Sequence, residues 1–176
     1  MRKTVLLLCF LVCLCSIQIP HASAQLVEIS EVSGWRFLQN FSAYKAPIGK
    51  IRTLKYDEGT PYPTAVMAGL GEDGHGAIIT VFENGAGYAS KAVVLYRMSD
   101  NVSMHRGVQL VVATFLRMGV TAEELKVLQN IRRESEYATY GVADVWCKKA
   151  NRRIVHEVYM IPQEDSIMSR IIAYDN

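Results

Sequence analysis

A chain that otherwise reads as short strands is interrupted once, near its middle, by a helical pair. That interruption limits the folds open to it. Met104, Val108, Val111, Val112, Phe115 and Leu116 recur at helical spacing, so a helix with one apolar face follows Asp100. Gly107 weakens its early part, because glycine costs about 1 kcal/mol against alanine inside a helix. Gly119 is suited to end it, having no Cβ to clash in a left-handed conformation. Thr121-Ala122-Glu123-Glu124 then spells a capping box, in which hydroxyl and carboxylate each satisfy a backbone amide left free by the first turn. Leu125, Leu128 and Ile131 give this second helix a buried stripe, with Lys126, Arg132 and Arg133 turned to solvent.

On both sides of the pair the pattern is β. Residues 65–70 and 77–82 are short apolar runs, rich in β-branched side chains and bounded by glycines, as buried strands are. Asn84-Gly85 marks a turn, and residues 51–56 and 91–96 supply further strands. Trp35, Phe37 and Phe41 fall on odd positions and predict a half-buried strand there, although Leu38 breaks the alternation. The segment from Asp57 to Pro63, with one glycine and two prolines, reads as a loop. After the helices, residues 140–147 and 154–161 form a hairpin, and Pro162 stops its second strand. Residues 166–174 fit a helical face or a terminal strand equally well. The order strands, helix pair, strands predicts an α+β fold: an antiparallel sheet, open or half-barrel, covered on one face by a helical hairpin.

The first two dozen residues carry an address. Arg2 and Lys3 precede an apolar run over residues 5–14, and Ala22-Ser23-Ala24 offers the small side chains a signal peptidase requires. Residues 1–24 are therefore read as a signal peptide and 25–176 as one globular domain, exported to a periplasm or beyond the cell. The apolar run falls short of the roughly 20 residues a membrane span needs. No small residue precedes Cys9, Cys13 or Cys15 as a lipid-anchored product would require, so no membrane anchor is expected after cleavage. Of 19 basic residues, loss of Arg2 and Lys3 leaves 17 against 17 acidic ones. A neutral surface lacks the basic excess that phosphate binding demands, which argues against a nucleic-acid partner. About 150 residues suffice for a core without covalent staples. Beyond the leader the one cysteine is Cys147, which is buried and inert, reactive, or bridged to a second copy in a homodimer.

Several motifs carry the spelling of a site without its context. Gly69-Leu70-Gly71-Glu72-Asp73-Gly74 matches a dinucleotide fingerprint, but the segment after it reads as a strand rather than a helix, and two acids sit where phosphate would lie. A hairpin turn is the better reading. Residues 115–133 have the outline of a helix-turn-helix. Phe115, however, stands where close helix approach needs a small residue, and Glu123 and Glu124 occupy the end that would meet bases. Glu72, Asp73 and His75 form too small a set on one turn for a metal site, so no metal or cofactor is expected. Asn40 and Asn101 head glycosylation sequons, which have meaning only in a eukaryotic host.

Two sets of residues remain as functional candidates. Cys147 and His156 form the one plausible nucleophile pair, since a thiolate needs a neighbouring base or positive charge. With Cys147 facing Ile154 and Val145 facing His156 they become diagonal neighbours on one sheet face. A one-residue slip would separate them and set Asp144 opposite His156. On this view the protein is a secreted thiol-dependent hydrolase. With no convincing catalytic cluster elsewhere, the leading expectation is instead an exported, non-enzymatic module that holds a small ligand or docks a protein. Trp35, Tyr140, Trp146 and Tyr159 are the candidate contact residues.

Overall fold

The protein is described by a computed structural model covering residues 24–56, 59–71, 73 and 75–175. The leader, apart from Ala24, lies outside the described residues, as do Glu72 and Gly74 of the glycine-rich motif. The chain runs β1 (Leu26–Val27), α1 (Gly34–Gln39), a 3₁₀ turn (Phe41–Tyr44), β2 (Arg52–Lys55), β3 (Thr64–Leu70), β4 (Ala77–Glu83) and β5 (Ala89–Arg97). It continues with α2 (Asn101–Arg117), α3 (Ala122–Gln129), β6 (Tyr140–Cys147), β7 (Arg152–Ile161), a 3₁₀ turn (Pro162–Glu164) and β8 (Ser166–Tyr174). The eight strands form one open antiparallel sheet in the order β2-β3-β4-β5-β8-β7-β6, with β1 paired to the end of β8. This is the expected α+β architecture, in its open form.

Among the described residues the helices pack on one face. Strand alternation and the pairing register place Val66, Val81, Val94, Ile171 and His156 on the same side. Gly34 of α1 sits against Val66 and Val81, Gly107 of α2 against Tyr96, and Phe115 against His156. Phe37, Phe41, Phe115, Leu110 and Leu128 fill the layer between helices and sheet with essentially no exposure. Fully burying side chains of this size contributes about 1.5–3 kcal/mol each, so this layer dominates stability. Gly107 has a structural purpose there. A Cβ at that position would lie 2.2 Å from the Tyr96 ring, so glycine lets α2 approach β5 closely.

The helix punctuation forms as expected. Asp100 caps α2 by accepting from the Val102 amide at 3.0 Å. Gly119 ends it at φ 88° while the amide of Val120 donates to the carbonyl of Phe115. The Thr121–Glu124 box is complete. The Glu124 carboxylate also accepts from the Lys148 amide at 3.1 Å, pinning α3 to the β6–β7 turn. Burial alone would raise the pKa of Glu124, but the amides of Thr121 and Lys148 hold it below the usual carboxylate range.

Two local expectations change. The segment around Trp35 is helical rather than extended. Ser33 accepts from the Arg36 amide to start α1, and Phe37, Leu38 and Phe41 at helical spacing all point into the core. The Leu38 that broke the strand alternation is thus a core residue of the helix. Residues 166–174, ambiguous in sequence, form strand β8 at the centre of the sheet between β5 and β7. The 69–74 motif is a hairpin connection: Leu70 pairs with Ala77, and strands rather than a strand and a helix flank it.

Candidate binding face

The β6–β7 register decides the fate of the thiol pair. Cys147 faces Arg152, Val145 faces Ile154, and His156 faces Ala143. The expected pairing is displaced by two residues, with Asn151 in a left-handed conformation (φ 50°) closing the turn. An even displacement keeps Cys147 and His156 on the same, helix-covered face. It also leaves them four positions apart along the strands, or about 13 Å at 3.3 Å per residue. Cys147 is fully buried, and burial together with the Glu124 charge pushes its thiol upward, away from the thiolate form. His156 is held elsewhere. Its Nδ1 lies 2.9 Å from the Leu128 carbonyl at the end of α3, and its ring meets Phe115 edge-on at 5.2 Å. Burial lowers its pKa, so the neutral form, donating to Leu128, is the one the fold accepts. The structure does not bring the pair together.

The contact candidates divide differently. Trp35 projects from α1 on the helix side and is 45% exposed. Tyr140, Trp146 and Tyr159 fall by alternation on the opposite face, which none of the described helices covers. Tyr140 and Tyr159 are direct cross-strand partners with ring centroids 5.0 Å apart. Beside them Glu157 accepts from the Tyr140 hydroxyl at 3.3 Å and pairs with Arg170, whose guanidinium also lies over Tyr159. Burial, reinforced by the Glu157 charge, raises both phenol pKa values and keeps them protonated donors.

The register extends this tyrosine pair into a row. Tyr140 faces Tyr159, Tyr159 faces Met168, Met168 faces Leu95, and Leu95 faces Ile78. Five strands thus place five large, mostly apolar side chains side by side over about 19 Å, at 4.8 Å per strand. Ile78 and Leu95 are each 41% exposed and Tyr140 40%. Each strand alone shows one unremarkable outward residue. The row exists only once pairing is known, which is why the sequence shows Tyr140 and Tyr159 as isolated aromatics and hides Ile78, Leu95 and Met168 altogether.

At its Ile78 end the row opens into a cleft of about 590 Å³. Met67 and Ile78 supply apolar wall, Gly69 leaves the floor bare, and Lys50, Arg52 and Arg97 line it with positive charge. No acidic side chain is among the described lining residues. Asp73 and His75, between β3 and β4, are fastened to α2. Arg106 contacts Asp73 at 2.5 and 3.0 Å, and His75 Nδ1 lies 2.7 Å from Asp100. The Arg106 guanidinium holds the Asp73 carboxyl at a pKa of about 2. At the other edge of the sheet Asp144 bridges Arg132 at 3.1 Å and Arg153 at 3.0 Å.

Among the described residues no group of His, Cys, Asp and Glu is placed to hold a metal ion, and no helix is long and apolar enough to cross a membrane. No protein-family model matches the chain, and no curated protein matches it significantly.

Proposed function

We propose that the protein is an exported, non-enzymatic binding module that presents the face of its sheet opposite the described helices to an apolar ligand. The observation that carries this reading is the in-register row Ile78–Leu95–Met168–Tyr159–Tyr140, left partly open to water on the face opposite the helices. A contiguous apolar stripe with a polar margin is the surface pattern of an interaction site. Aromatic residues at one end add rigid contact area with hydroxyl handles. Export rests on the basic start, the apolar run and the small residues at 22–24.

The test uses N-phenyl-1-naphthylamine, a neutral apolar fluorophore, titrated into the purified protein. Binding with enhanced emission is expected, and Leu95→Ser together with Tyr159→Ser should weaken it at least fivefold with the melting temperature little changed. Absence of binding, or equal binding by the double variant, overturns the reading. Protein recovered from its host outside the cytoplasm should begin near Gln25, and protein confined to the cytoplasmic fraction with Met1 intact overturns export.

A further inference from the structure

Resting on that reading, we infer that the ligand is an anionic amphiphile, its carboxylate or phosphate seated among Lys50, Arg52 and Arg97 and its apolar body lying along the row from Ile78 towards Met168. Charge complementarity and shape point to this occupant rather than to a neutral one. The cleft has the size of a small-molecule site, for which volumes of roughly 300–1,000 Å³ are typical. Three cations converge on it from two separate stretches of chain. Lys50 and Arg52 come from the approach to β2 and its first residue, and Arg97 from the last residue of β5. An isolated cation on a surface needs no explanation, but three around one concavity raise the local concentration of an anion. Arginine also offers a planar fork of donors matched to carboxylate or phosphate oxygens.

The apolar row begins inside the same cleft. Ile78 lines it, faces Gly69 on one side and Leu95 on the other, and so joins head site to stripe without a gap. Gly69, beside Ile78 in the register, is one of the glycines that line the concavity. A Cβ there would meet only the Ala77 carbonyl oxygen, at 3.8 Å, so nothing in the packing excludes a side chain from that position. Gly71 and Gly76 line the cleft, and Asp73 and His75 between them are tied to α2 through Arg106 and Asp100.

Calorimetry with dodecanoate, dodecanol and acetate separates head from tail. Dodecanoate is expected to bind at least tenfold more tightly than dodecanol, while acetate gives no measurable heat. Dodecyl phosphate in place of dodecanoate distinguishes a phosphate head from a carboxylate one, and tighter binding of either keeps the proposal. Arg52→Gln with Arg97→Gln should erase the preference for dodecanoate over dodecanol. Gly69→Leu should fill the cleft and weaken dodecanoate at least tenfold, with the melting temperature held or raised. Equal affinity for dodecanoate and dodecanol, or a preference that survives the double glutamine variant, overturns the anion site. In that case continued binding of the neutral fluorophore leaves the broader reading standing, whereas its loss from the unaltered protein removes that reading by itself.

Discussion

The two faces of the sheet are made by the same strands yet are finished differently. On the covered face Val66, Ile79, Val81, Val94 and Ile171 are sealed beneath three helices. On the other, Ile78 and Leu95, immediate sequence neighbours of Ile79 and Val94, stay open to water. Hydrophobicity alone therefore does not say which side of a strand builds the core. What separates the faces is the company each keeps across the sheet, which is set by register and by where the helices land.

If the covered face carries the stability, Phe115→Ala should have the largest effect. Deleting a fully buried phenylalanine costs about 3–5 kcal/mol, read as a fall in the urea midpoint with an unchanged slope. Next comes Gly107→Ala. Helix propensity alone would stabilise by about 1 kcal/mol, but overpacking against the Tyr96 ring should reverse the sign and destabilise by about 1–3 kcal/mol. A stabilised Gly107→Ala protein would show that α2 can lift off β5 at little cost.

His156 offers a subtler probe of the same layer. Its folded pKa is depressed below the usual 6.5, so the unfolded chain binds the proton more readily. The stability it permits is complete above about pH 6.5 and declines as pH falls towards the depressed folded value, with a slope of at most about 1.4 kcal/mol per unit from this group. Comparing denaturation midpoints at pH 7.5 and 5.5 for the protein and for His156→Gln should show a smaller fall in the variant. The smallest effect belongs to the free face: Leu95→Ser should shift stability by less than about 1 kcal/mol. A loss as large as that of Phe115→Ala would erase the distinction between the faces.

Local chemistry was well written into the sequence. The Thr121–Glu124 box, the turn at Asn84-Gly85 and the glycine-bounded runs β3 and β4 each depend on a few adjacent residues, and each forms where those residues stand. The Trp35 segment misled because six or seven residues are too few to tell period 2 from period 3.6 when Phe37 and Phe41 satisfy both. Residues 166–174 have the same double fit, and only pairing on both sides by β5 and β7 decides for strand. The Cys147–His156 geometry turned on a two-residue register choice governed by the Asn151 turn. The cleft was the least legible feature, since it draws Lys50 and Arg97 from positions nearly fifty residues apart.

The position of β8 has a consequence in time. It follows the other seven strands in chain order yet lies between β5 and β7. A ribosome delivering the chain from its amino end exposes β2–β5 and then β6–β7 as separate fragments, each with an unfilled inner border. Until the final strand emerges, those borders are open to pairing with other chains. Holding the polypeptide extended during synthesis or transport would postpone that hazard until every strand is present at once.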